Sequence, residues 1–228
     1  RLLEFAAKLK PCTIVMESCG GSHWLARKLI SFGHQVKLIA PQHVKPYVTG
    51  NKNDYIDAAA ICEAASRPRT RYVAIKTVEQ QVLSTQHRLR EALVGHRTQT
   101  INRIHGFLLE FGIALPATKA AMNQIHQILD DPAAELPQQL KCDIEYLLEE
   151  IKRLTGEIKA IDRSIKEQVA ADDAGTRLMS IPGIGPIIAS ALLADIGDAS
   201  NFHSARDFAA SLGLVPRQYS TCLLYTSD

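Results

Sequence analysis

Thr13, Ile14, Val15, Met16 and Glu17, then Ser22 through Phe32, then Val36 to Ala40 with Pro41 behind them, form the stretch on which the fold turns. The first run is apolar and partly β-branched, ends on an acid and meets Gly20 and Gly21, which reads as a buried strand entering a turn. In the second, Leu25, Leu29 and Ile30 recur at helical spacing and Gly33 closes the helix. The third is another strand, stopped by Pro41. A strand, a helix and a strand in that order predict a parallel pair in a sheet covered by helices. In open α/β sheets ligands sit beyond the carboxyl ends of the strands, and Glu17 stands at that edge. A single glutamate at a strand end is ordinarily solvated or paired, so its neighbours decide what it does.

Those neighbours arrive next. The segment from Gln42 to Asn53 reads as an exposed basic loop, with His43, Lys45 and Lys52 among the breakers Pro46 and Gly50. It delivers the chain to Asp54, Tyr55, Ile56 and Asp57, and then to Ala58, Ala59, Ala60, Ile61, Glu63 and Ala64, a run of good helix formers. On a helix Asp54 and Asp57 stand at i and i+3, on one face, where both carboxylates can reach one ion. The same pair suits a helix start with no chemistry involved, Asp54 as N-cap and both acids favourable at the positive end of the dipole.

A chain of 228 residues can bury a sizeable core, as one large or two small domains. The formal net charge of +2 is too mild to imply nucleic-acid binding without a local basic surface. Cys12, Cys19, Cys62, Cys142 and Cys222 are scattered without the close pairs of zinc or redox sites, which suits a reducing cytosol. They are expected to be mostly buried small hydrophobes. The longest apolar run, Leu178 to Ile196, is broken by Pro182, Gly183, Gly185, Pro186 and Asp195, which argues against a membrane span. Nothing at the start resembles a signal peptide.

From Val78 to Phe111 a long helix is predicted, with Val82, Leu89, Leu93, Ile101, Ile104 and Leu108 near one stripe. Its other face carries His87, Arg88, Arg90, His96, Arg97 and Arg103, opposed mainly by Glu91. That face suits phosphate contacts spread along a helix, or is simply a solvated charged surface. Leu136, Leu140, Ile144, Leu147, Ile151, Leu154, Ile158, Ile161 and Ile165 then step by four and three, a coiled-coil seam started by Pro137. Its partner is the Val78 helix or another subunit. Beyond Ala170 a terminal unit begins, with two short helices around Ser180, Ile181, Pro182, Gly183, Ile184, Gly185 and Pro186. This is the helix-hairpin-helix pattern: glycines allow close approach to a nucleic-acid backbone, Ile184 fills the hairpin, and the second helix offers N–H groups to a phosphate. Glycine-rich turns between helices also serve as plain packing devices.

Glu17 after its strand, Lys52 to Ala58, the heptad helix, Pro182 to Pro186 and Leu212 to Pro216 occur in an order that resembles the DEDD transposases of bacterial insertion sequences, family 110 and its 1111 subgroup. Site-specific invertases are relatives. The resemblance runs from about Leu2 to Thr221. It implies an α/β plus α protein: an incomplete ribonuclease-H-like, resolvase-like DEDD catalytic domain over 1–75, long coiled-coil helices over 76–170, and a C-terminal transposase domain over 171–221 with the helix-hairpin-helix and a serine. Glu17 matches the second acidic position, Asp54 and Asp57 the third and fourth, and the first aspartate falls upstream of Arg1. These carboxylates imply Mg²⁺, and the serine after Gly213 to Pro216 points to Ser220 as nucleophile, with Thr221 the other register. DNA is the implied partner, with Lys52, Arg88, Arg97, Gly183, Ile184 and Gly185 as contacts. A guide RNA, a homo-oligomer and a bacterial cytoplasmic, nucleoid-associated location are implied as well.

Residues 222–228 depart from the family and look like a translated sequencing adapter. With a start inside the amphipathic helix of Leu2, Leu3 and Phe5, this predicts a reading frame cut at both ends and inactive by itself. Two other functions compete with a serine transposase: a coiled-coil DNA-binding module without chemistry, and a junction resolvase that hydrolyses DNA with Mg²⁺ alone. A covalent protein–DNA adduct would single out the serine mechanism, and strand cleavage without one would separate the resolvase from the binding module.

Overall fold

The computed structural model describes residues 1–50, 53–68, 70–116, 121–196, 202 and 204–214. The chain divides into two compact units, one of residues 1–77 with 196–228 and one of residues 78–195.

The first unit opens with α1 (Leu2–Lys8), β1 (Thr13–Glu17), α2 (Ser22–Ser31) and β2 (Gln35–Ile39). β1 and β2 are parallel, in register from Thr13 opposite Gln35 to Glu17 opposite Ile39, as the strand–helix–strand reading requires. Gly33, at φ 90°, adopts the left-handed backbone that lets the chain leave α2 for β2. Side chains alternate across the sheet. Ile14, Met16, Val36 and Leu38 pack with Ala6, Ala26 and Leu29 of α1 and α2 on one face. His34 is buried there as well, accepting from the Cys12 N–H at 3.3 Å and donating to the Ala6 carbonyl at 2.9 Å, so it ties α1 to the strand ends.

The opposite face is covered by the segment that leaves β2. Pro41 both ends the strand and starts a short helix, α3 (Pro41–Val44), and a 3-10 turn spans Lys45–Tyr47, so the expected loop from Gln42 is partly helical. Then come α4 (Asp54–Ser66) and β3 (Tyr72–Val73), a strand not foreseen, which pairs antiparallel with β2 through Ile39 and Tyr72. Ala60 and Ala64 of α4 pack with Ile39, Val44, Val15 and Tyr72. Alanines at these positions let the helix lie close against the strands.

The second unit holds α5 (Val78–Leu109), α6 (Ala121–Asp130), α7 (Gln138–Ala170), α8 (Asp173–Met179) and α9 (Pro186–Ile196). α7 has 33 residues and is about 50 Å long at 1.5 Å per residue. It packs on α5, so within this chain its partner is the Val78 helix. Ile104 and Leu108 of α5 join Ile125 and Leu129 of α6 and Ile144, Leu148 and Ile151 of α7 in one core. At the other end of α7, Ile165 and Val169 pack with Ala189 of α9. Pro137 is the N-cap of α7.

Two expectations fail in this unit and across the chain. Val82 and Leu89, assigned to the buried stripe of α5, are 48% and 51% exposed. In their place the first half of α5 turns a polar seam to α7. Gln86 donates to Ser164 at 3.2 Å and accepts from Gln168 at 2.9 Å, and Arg90 Nε meets Asp162 at 2.5 Å. Cys12, Cys19, Cys62 and Cys142 are exposed, not buried, because they occupy a turn or the outward side of helices whose inward positions are filled by alanine and larger apolar residues. Cys222 lies outside the described residues. The last described helix is α10 (Ala205–Ser211) in the first unit, where Asp207 pairs with Arg71 at 2.7 Å.

Candidate carboxylate site and nucleic-acid contacts

Glu17 is the last residue of β1 and is half-buried. The Ser18 N–H continues the ladder to the Ile39 carbonyl at 2.8 Å, which fixes the backbone that carries it. By the alternation of the strand, Glu17 shares its face with Val15, the face covered by α4.

α4 begins with the two aspartates. The cap is Asn53, whose side chain accepts from the Tyr55 N–H at 2.9 Å, so Asp54 is not the N-cap but the first helical residue. The backbone explains the exchange: Asn53 is extended, at φ −153° and ψ 140°, as a capping residue must be, and Asp57 N–H makes the first helical bond to its carbonyl at 2.9 Å. Asp54 is exposed and Asp57 half-buried, one turn ahead of Ala60 and Ile61 on the side that meets the sheet. The cap leaves both carboxylates available for other partners.

These are hard oxygen donors of the kind Mg²⁺ takes. Among the described residues, however, no three His, Cys, Asp or Glu side chains are gathered as metal ligands, so Glu17, Asp54 and Asp57 do not form a closed cage in this structure. The donor chemistry fits the ion, which needs only one or two protein carboxylates when substrate phosphates complete its shell.

Of the basic residues, Arg88, His96 and Arg103 are exposed on α5 and Arg97 is half-buried. His87 and Arg90 do not belong to that open face. Arg90 pairs with Asp162. The Ser190 hydroxyl donates to the Ile187 carbonyl at 3.0 Å and so accepts from His87 Nε2 at 2.8 Å. Burial, and then the Arg90 guanidinium, hold the His87 imidazole below the ordinary histidine value, against the opposing pull of Asp195. Lys52 lies outside the described residues.

α8 and α9 flank the glycine turn. Gly183 has φ 90°, which excludes ordinary side chains, and the Ile184 N–H closes the turn on the Ile181 carbonyl at 3.1 Å. Ile184 packs against the Ile165 and Val169 core, whereas a Cβ at Gly185 would meet open space. Gly185 accepts the first helical bond of α9, from the Ala189 N–H at 2.9 Å. Ser220 and Thr221 lie outside the described residues. Arg67 and Arg71, which were not singled out from the sequence, line a pocket of the first unit; the signal was present as three arginines in five residues, Arg67, Arg69 and Arg71.

No helix among the described residues is long and apolar enough to cross a membrane. A DEDD transposase family model of IS110 type matches residues 1–113, and the model described as Transposase IS116/IS110/IS902 family matches residues 175–222. The transposase for insertion sequence element IS1328 of Yersinia enterocolitica is 47% identical over 221 residues, 97% of this chain and 66% of that protein. The transposase for insertion sequence element IS1111A of Coxiella burnetii is 40% identical over 216 residues, 94% of this chain and 59% of that protein. The chain thus spans less than two thirds of the length of these relatives. On two family models in chain order and on this level of identity, the chain belongs to the IS110 family of insertion-sequence transposases.

Proposed function

We propose that this chain carries the acidic site and part of the DNA-contacting surface of a transposase that cuts and rejoins DNA strands, with the first unit a portion of a ribonuclease-H-like, resolvase-like domain. One observation carries the reading. Glu17 ends β1 at the carboxyl edge of the parallel pair, on the face that α4 covers, and α4 opens on Asp54 and Asp57 behind a separate cap. Glu17, Asp54 and Asp57 are the residues that would hold Mg²⁺, an ion often bound by one or two carboxylates together with substrate phosphates. When bound, it would neutralise charge on the scissile phosphodiester.

Ser220 is the proposed nucleophile. Its Oγ forms a bond to the scissile phosphorus as the departing strand end leaves with a hydroxyl, and a strand hydroxyl later displaces the serine and restores a phosphodiester. No nucleotide is consumed, because the phosphoserine keeps the bond energy. Lys52, Arg88, Arg97 and the turn of Gly183, Ile184 and Gly185, read as a helix-hairpin-helix, hold backbone phosphates. A guide RNA offers the same chemistry to those groups, and a homo-oligomer would let one copy bring Ser220 to another's carboxylates.

The test is cleavage of element-end DNA by the complete transposase in Mg²⁺. Glu17→Gln and Asp57→Asn should each abolish cleavage while DNA affinity stays within about twofold. Undiminished cleavage by both variants would remove these carboxylates from the mechanism.

A further inference from the structure

The sheet edge that ends in Glu17 also carries a pocket of about 260 Å³, lined by Gln42, His43, Tyr47, Arg67, Thr70 and Arg71 among others. Its place is set by the topology. β2 ends at Ile39, opposite Glu17, and Gln42, His43 and Tyr47 come directly after it in α3 and the 3-10 turn. Thr70 and Arg71 run straight into Tyr72, which pairs with Ile39 from the other side.

Arg67 and Thr70 are fastened to the last turn of α4. The Arg67 N–H bonds the Ala64 carbonyl at 3.3 Å, the Thr70 N–H bonds the Arg67 carbonyl at 3.2 Å, and the Thr70 hydroxyl donates to the Ala64 carbonyl. The Tyr72 hydroxyl donates to the Ala65 carbonyl at 3.2 Å. Carbonyls that a helix end leaves without partners are thereby satisfied, and the two arginines are held at fixed stations. The Arg67 guanidinium lies 5.8 Å from the Tyr47 ring centroid, a cation–π distance.

Each arginine has an acidic companion that does not line the pocket: Glu63 for Arg67 and Asp207 for Arg71. The arginine side chains nonetheless remain 56% and 67% exposed. The Arg67–Glu63 pair is open on both sides, with Glu63 47% exposed, and such a pair is worth about 0–1 kcal/mol, so exchanging Glu63 for another anion costs little. Asp207 is only 15% exposed and stays with Arg71, whose exposed guanidinium keeps further N–H donors for a phosphate. A guanidinium grips a phosphate by two parallel hydrogen bonds, a stronger contact than a solvated surface pair. The volume falls below the roughly 300–1,000 Å³ of sites that enclose a whole small molecule, and suits a phosphate with its sugar.

We propose that this pocket seats one backbone phosphate of a nucleic-acid strand beside the Glu17 edge, with Arg67 and Arg71 as its cationic jaws and Glu63 as the carboxylate the phosphate displaces. The proposal rests on the nucleic-acid reading above and adds a site to it. DNA and RNA offer the same phosphodiester, and the test distinguishes them.

Binding of the 228-residue chain to labelled oligonucleotides of one sequence, as single-stranded DNA, duplex DNA and single-stranded RNA, is followed by fluorescence anisotropy across a KCl series. Arg67→Gln with Arg71→Gln should lower affinity about five- to eightfold at 0.1 M salt for each guanidinium removed from a phosphate, and flatten the salt slope by about 0.7–0.9 for each. The strand type whose affinity falls further is the occupant. Glu63→Gln keeps both arginines and removes a competing carboxylate, so it should tighten binding; a merely structural pair would give no gain. Wild-type binding with unchanged affinity and slope in the arginine variant, or no tightening in Glu63→Gln, overturns the pocket alone. Absence of wild-type binding to all three strands overturns the nucleic-acid reading and the pocket with it.

Discussion

Two glycines in helices of the second unit should respond to the same substitution with opposite signs. Gly156 lies mid-helix in α7, exposed, and a Cβ built on it meets nothing within 4 Å. Alanine there should stabilise by about 0.5–1 kcal/mol, the difference in helix propensity. Gly175 sits in α8, buried, with its N–H bonded to the Asp172 cap at 2.9 Å. Its Cβ would stand 2.5 Å from the Val169 carbonyl oxygen, 3.0 Å from Val169 Cγ1 and 3.3 Å from Leu193 Cδ1. The first of these is backbone in the last turn of α7 and cannot swing aside. Overpacking of this kind costs about 1–3 kcal/mol, here toward the upper end, and the propensity gain returns only about 1. Gly175→Ala should therefore lose about 1–2 kcal/mol net. Urea unfolding followed by circular dichroism, with a common slope for wild type and both variants, reads the two changes directly. A Gly175→Ala protein at least as stable as wild type, beside a stabilised Gly156→Ala, would refute the close approach of α8 to α7.

Three further outcomes are expected. Because the folded state holds the His87 value below its ordinary 6.5, the unfolded chain binds that proton more readily; the stability concerned is present above about pH 6.5 and is lost as pH falls through the folded value. Unfolding free energies at pH 7.5 and pH 5 should show that loss, His87→Gln should reduce it, and an equal loss in the variant would place its origin elsewhere. Gly185→Asp puts a negative charge in open space at the start of α9 and should weaken DNA binding of every sequence alike; a salt titration with unchanged affinity and slope would make the turn a packing element only. In a complete transposase Ser220→Ala should bind DNA normally and form no covalent adduct, and a denaturant-resistant protein–DNA band in that variant would move the nucleophile to Thr221 or discard the serine mechanism.

The parallel pair, α2, the acidic opening of α4 and the extents of α5 and α7 were legible in the sequence because each rests on local chemistry: β-branched runs, helical spacing and Gly33. Two-residue β3 was not, since Tyr72 and Val73 form a strand only by pairing with Leu38 and Ile39. The first half of α5 misled for a related reason. Periodicity equates apolar with buried, yet Gln86, His87 and Arg90 face partners while Val82 and Leu89 face outward, because Ser164, Asp162 and Ser190 wait opposite them. The candidate carboxylates could be named from type and spacing, and Asn53 could have been seen as the better cap, being the last residue before the alanine-rich helix. What spacing cannot supply is convergence, the distance between a strand end and a helix start joined by a loop, and the pocket of Arg67 and Arg71, which needs two segments distant in sequence to meet.

The divided seam between α5 and α7 has a consequence for alignment. In its far half, Ile104 and Leu108 against Ile144, Leu148 and Ile151 are adhesive but indifferent: one branched aliphatic replaces another after a slide of one helical turn, about 5.4 Å, at modest cost. In the near half a slide would leave Arg90 without Asp162, and Gln86 without both Ser164 and Gln168. Half-buried polar groups without partners are expensive, so the hydrophilic end works as a key and the apolar end as glue. Two helices of 32 and 33 residues, which could otherwise settle in several staggered arrangements, are held to one offset by a handful of side chains.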